Sequence, residues 1–124
     1  MTVESSEAIV VLLTAANGEE AARVAQMLVG SQLAACVQIM PEMESLYRWQ
    51  GNIERQSEVL LIAKTIRSKF DQLEREVRAL HSYETPEIVA LPVLAGSVPY
   101  LEWLVSSMEV PLKEVSAAKS ATSE

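Results

Sequence analysis

The spacing of apolar residues switches several times along the chain, and each switch marks a predicted element. The run Ala8-Ile-Val-Val-Leu-Leu-Thr14 is apolar almost throughout and rich in β-branched residues, which predicts a strand buried on both faces. Asn17-Gly-Glu-Glu20 follows with the spacing of a capping box, Asn17 as N-cap and Glu20 three residues on. Ala21, Val24, Ala25, Leu28 and Val29 then recur at helical intervals until Gly30. From Ala34 the period shortens to two: Ala35, Val37 and Ile39 share one face, and Cys36, Gln38 and Met40 the other. Pro41 interrupts this strand, as at a bulge or a sheet edge. Extended character resumes through Leu46-Tyr-Arg-Trp49, Gln50-Gly-Asn52 makes a hairpin turn, and the return strand runs from Ile53 to about Lys64.

Ser68 and Asp71 open a second predicted helix, with Phe70, Leu73, Val77 and Leu80 as its apolar stripe and Glu74 facing Arg78 outside. His81 to Pro86 reads as a loop, and Glu87 to Leu94 as a fourth strand that Pro92 marks as an edge. Ser97 caps a short third helix with Pro99 in its first turn and Leu101, Leu104, Val105 and Met108 inward. The order β-α-β-β-α-β is the split βαβ, ferredoxin-like α+β arrangement with a C-terminal helical extension. Right-handed crossovers give the antiparallel sheet order 4-1-3-2. The pattern agrees, since the most apolar strands become central and the two with prolines become edges. One domain over 8–112 is expected, between a flexible N-terminus, 1–7, and a disordered tail, 113–124, with little to bury.

The hairpin is too long for its helices. Residues 34–49 would span about 50 Å when extended, against about 17 Å for a helix over 19–29. The far end carries Leu46, Tyr47, Trp49 and Ile53, and a two-stranded ribbon alone is marginal in water. A second copy of the chain in a closed ring is the simplest cover.

Composition narrows the partners. The 124 residues hold 17 acidic and 10 basic side chains, a net charge of −7, which opposes a broad phosphate-binding surface. Nucleic acid and anionic membrane are therefore poor partners. A single cysteine, Cys36, excludes an intramolecular disulfide and suits a reducing compartment. The first residues lack the basic patch and apolar core of a signal peptide, and a cytoplasmic location is expected.

Several segments together carry a family resemblance: Leu33-Ala-Ala-Cys36, Ser45-Leu-Tyr-Arg-Trp-Gln-Gly51, Glu58-Val, Lys64-Thr65, His81-Ser-Tyr-Glu-Thr-Pro-Glu87, Leu91-Pro92 and Tyr100-Leu-Glu-Trp-Leu104. Through them the chain, from Ile9 to about Met108, resembles the CutA divalent-cation tolerance proteins. The resemblance implies a homotrimer built like the PII signalling proteins, an association with metal tolerance, copper binding in some members and no established reaction. It also implies a cleft between subunits, with Tyr47, Trp49, Glu58, Lys64, His81, Tyr83, Glu87 and Trp103 as candidate lining. Aromatic faces, a lysine and carboxylates suit a small-ligand pocket; interface packing and salt bridges are the alternative reading of the same residues.

The metal expectation is weaker. In copper-binding members a cysteine sits just before the Thr-Ala closing the first strand, and two adjacent histidines precede the fourth. The corresponding positions here are Leu13, Leu80 and His81. Copper or another divalent cation is thus expected to bind weakly, through His81 with water or carboxylates such as Glu84. Cys36 cannot join His81, because three strand spacings, about 14 Å, separate their sheet edges; it reads as a small buried apolar group. Two further readings are weighed. An enzyme would use His81 as acid–base with Glu84 or Glu87, but no catalytic motif accompanies this lone histidine, and no catalytic residue is assigned. A PII-like signalling or scaffolding module would need a long mobile loop, and the hairpin turn is short.

Overall fold

The computed structural model describes residues 7–109. The expected tail, 113–124, and all of the N-terminal stretch except Glu7 lie outside the described residues. Glu7 itself is tied down: its carbonyl accepts from Arg67 N–H at 2.8 Å, and its carboxylate lies 3.5 Å from the Arg67 guanidinium.

The elements run β1 (Ala8–Ala15), α1 (Gly18–Gly30), β2 (Cys36–Trp49), β3 (Asn52–Ile66), α2 (Phe70–Leu80), β4 (Ile88–Pro92) and α3 (Val98–Glu109). The strands form one antiparallel sheet in the order β2-β3-β1-β4. The two most apolar strands are central, where both edges are hydrogen-bonded, and the two with prolines lie outside.

Alternation along the strands divides the sheet into unlike faces. Ile9, Val11, Leu13 and Ala15 of β1, with Val59, Leu61 and Ala63 of β3, pack beneath Ala21, Val24 and Leu28 of α1 and Leu73 and Val77 of α2. The opposite face is only partly covered. There α3 seats Leu104 and Met108 on Ala8 and Ile66, at one end of the sheet. Val10, Leu12, Leu60 and Ile62 beyond it stay half-buried. Beside them Leu91 and Val89, paired with Val10 and Leu12, are 46% and 47% exposed.

β2 and β3 run on past the sheet. Ala15 pairs with Val59, so Asn52–Glu58 pairs with β2 alone, a ribbon about 23 Å long at the strand rise. A bulge between Ile39 and Glu42 begins it, at the proline that suggested one. Gln50 and Gly51 close it with φ of 52° and 84°, the two positive values that a two-residue type I′ turn demands.

Four local expectations change. Ser68 does not cap α2: a 3-10 turn, Arg67–Lys69, precedes the helix, and no side chain caps it. β4 is shorter than the apolar run, because the chain leaves the edge after Pro92, and Leu94 is fully exposed. Leu80, expected on the inward stripe of α2, is 38% exposed at its last turn. Cys36 is half-buried rather than buried, since an edge strand has a neighbour on one side only. The Glu74–Arg78 pair forms as expected, at 2.6 Å.

Candidate functional site

Two features meet where β1 ends: a buried polar clasp and an open groove. The clasp begins with Asn17, whose side chain accepts from Glu20 N–H at 2.9 Å and so caps α1. The Glu20 carboxylate does not return to the cap residue as a capping box predicts. Its Oε1 accepts from Ala16 N–H at 2.8 Å, and its Oε2 from Ser82 N–H at 2.7 Å. Glu20 is 2% exposed and joins α1 to the α2–β4 loop. Burial alone would raise its pKa, but the hydrogen bonds from Ala16 and Ser82 and the adjacent His81 outweigh it and hold the carboxyl below its ordinary value.

His81 completes the clasp. Its Nδ1 accepts from Tyr83 N–H at 2.9 Å, which leaves Nε2 to carry the proton and donate to Thr14 O at 2.6 Å. The ring is 1% exposed, with Nε2 3.8 Å from Glu20 Oε1. Both ring nitrogens of this expected weak metal ligand are hydrogen-bonded, and the carboxylate beside it is Glu20. Leu13 and Leu80 offer no donor atoms, and no three of His, Cys, Asp and Glu are placed to hold a metal ion among the described residues. The residues present do not fit the copper site that the resemblance implied.

The groove lies on the ribbon's side of this clasp, with a volume of about 540 Å³. Ser45, Tyr47 and Trp49 alternate along β2, Gln56 and Glu58 along β3 share their face, and Tyr83, Glu84, Thr85 and Glu87 form the opposite wall. The Tyr47 hydroxyl donates to Gln56 Oε1 at 2.6 Å. Glu58 is 8% exposed. The Tyr83 hydroxyl is buried without a hydrogen-bond partner; burial, then the charge of Glu58, pushes it up to about 12. His81 stacks on Tyr83 at 4.7 Å between ring centres, so the clasp sets the position of this wall.

The structure thus brings together Tyr47, Trp49, Glu58, Tyr83 and Glu87, and separates them from Lys64 and Trp103. Lys64 shares a face with Glu58, as parity required, but lies six residues along β3, about 20 Å. Its ammonium sits 5.7 Å from the centre of the Tyr100 ring, and Tyr100 packs against Trp103 at 5.5 Å. Sequence reasoning missed Gln56, which the parity of β3 would have supplied, and Glu20, which read only as the capping-box residue three positions after Asn17.

Residues 9–107 match the family model described as CutA1 divalent ion tolerance protein. The chain belongs to this family. The divalent-cation tolerance protein CutA of Thermus thermophilus is 48% identical over 95 residues, 77% of this chain and 92% of that protein. The protein CutA of Homo sapiens is 44% identical over 92 residues, 74% of this chain. The chain spans 51% of that human relative and 56% of a rice one described as chloroplastic. Among solved structures, the Thermus thermophilus protein superposes with a TM-score of 0.77 at 47% identity, covering 78% of this chain and 94% of that one. The CutA of Archaeoglobus fulgidus, described as periplasmic, gives 0.78 at 39% identity, covering 82% and 98%. The α+β fold with its four-stranded antiparallel sheet is therefore that of the CutA1 structures.

Proposed function

We propose that this CutA1 chain acts as a closed homo-oligomer, three subunits as the resemblance implies, that binds a small ligand in clefts between its copies. The observation that carries this reading is the uncovered apolar surface. Val10, Leu12, Leu60 and Ile62 form a sheet face that stays half-buried among the described residues, flanked by Val89 and Leu91. The ribbon beside it exposes Trp49 by 47% on the same side, and Leu46 and Ile53 by 58% and 75% on its other side. A patch of this kind marks an interaction surface, and closed symmetry covers it identically in each copy. A neighbouring copy is also what would bring Lys64 and Trp103 into one cleft with Glu58 and Tyr47.

In this reading the link to divalent-cation tolerance, for which the Thermus thermophilus relative is named, runs through the response of the oligomer to its ligand. It does not run through a tight copper site at His81. His81, the one acid–base candidate of the sequence, has both ring nitrogens engaged within the chain, which favours binding over catalysis. The ferredoxin-like order 4-1-3-2 serves this function by leaving one sheet face free for a neighbour. The cytoplasm is the compartment that a single unpaired cysteine suits best. Native mass spectrometry of the purified protein tests the reading: it should show one closed oligomeric mass, whereas a monomer at micromolar concentration would end it.

A further inference from the structure

The groove is lined by three carboxylates and three aromatic rings: Glu58, Glu84 and Glu87 against Tyr47, Trp49 and Tyr83. Its other lining residues are uncharged, and no Lys, Arg or His is among them. Glu58 is the telling member. It is 8% exposed, and a carboxylate withdrawn from water needs a countercharge. The ion pairs of the described residues engage Glu44, Glu7, Glu74 and Glu20; none reaches Glu58. Beside it the buried Tyr83 hydroxyl has no hydrogen-bond partner. Glu58 thus lines the groove with the Tyr83 hydroxyl beside it and no basic side chain among the described residues paired to it.

The shape and chemistry of the space select what would meet them. The three carboxylates do not converge on a metal-binding point among the described residues, and about 540 Å³ is the size of a small-molecule site. An anion would meet three like charges. A cation would find aromatic faces that attract it, with Glu58 to neutralise it. We propose that the groove binds a small organic cation, an ammonium or guanidinium compound, with Glu58 as its countercharge. This rests on the reading of the groove as a ligand cleft and narrows the ligand class. A lysine brought in by a neighbouring copy would still be outnumbered by the carboxylates.

The test uses the full chain with putrescine, choline and citrate as probes. Binding is followed by calorimetry and tryptophan fluorescence, and the oligomeric mass is measured on the same samples. Putrescine or choline should bind, citrate should not, and Glu58→Gln should weaken amine binding about tenfold or more at unchanged oligomeric mass. Citrate binding as tightly as the amines, or amine affinity indifferent to Glu58→Gln, would overturn the proposal. Amine binding seen in Lys64→Met but absent from the wild type would also overturn it, since a neighbour's Lys64 would then be the countercharge. A monomeric mass would refute the oligomer alone, because every group invoked here belongs to one chain.

Discussion

Replacing Glu20 probes the clasp on which one wall of the groove depends. The carboxylate accepts two backbone N–H groups, from Ala16 and Ser82, in an environment that leaves it 2% exposed. Hydrogen bonds to a buried charged group contribute about 1.5–3 kcal/mol each. Water can reach part of the vacated site, because Ser82 lies at the surface, so the low end of that range applies. Glu20→Ala should therefore cost about 3 kcal/mol, and Glu20→Gln, which keeps one acceptor oxygen, about half of that. The pH dependence has a definite sign. The folded-state pKa is depressed below its ordinary value of 4.5, so the carboxylate's contribution is complete above that value and is lost as pH falls through the folded pKa. The stability gap between wild type and Glu20→Gln should thus shrink in acid. Guanidinium denaturation at pH 7 and at about pH 4, at fixed protomer concentration because oligomers unfold with mass action, measures both effects. A Glu20→Ala midpoint equal to wild type, or a gap that widens in acid, would refute the clasp as described.

Gly51→Ala should destabilise the hairpin by about 1–2 kcal/mol, because φ of 84° places a Cβ against the following carbonyl; Gln50→Asn, better suited to positive φ, should raise the thermal midpoint. Asn17→Ala should cost about 1 kcal/mol through loss of the α1 cap, read by the same denaturation. Copper titration by calorimetry should show weak binding, with His81→Ala altering thermal stability far more than copper affinity. Tight stoichiometric binding lost in His81→Ala would show that the imidazole leaves its hydrogen bonds for the metal.

Much of the fold was legible because its signals are local. The apolar run of β1, the Asn17 cap, the proline bulge and the Gln-Gly turn each depend on residues a few positions apart. The groove was legible in part: the alternation of Ser45, Tyr47 and Trp49 gives their common face from parity alone. Parity cannot say where along a strand the sheet stops, and so it could not separate Lys64 from Glu58, six residues away on the same face. Glu20 was opaque for a different reason. Its burial depends on Ser82, which lies 62 residues later, and a capping-box pattern looks the same whether the carboxylate faces water or a returning loop. The half-covered sheet face was hidden likewise, since a strand apolar on both faces reads as buried whether a helix or another copy covers it.

Sedimentation velocity of the wild type and of Ile62→Glu at micromolar concentration tests the central claim most directly. Ile62 lies on β3 in the uncovered sheet face, half-buried in a single copy, where a monomer would let a glutamate there reach water. The account predicts a wild type with the mass of three chains and a variant that dissociates. A monomeric wild type, or an oligomer indifferent to a carboxylate in the middle of that face, would contradict it.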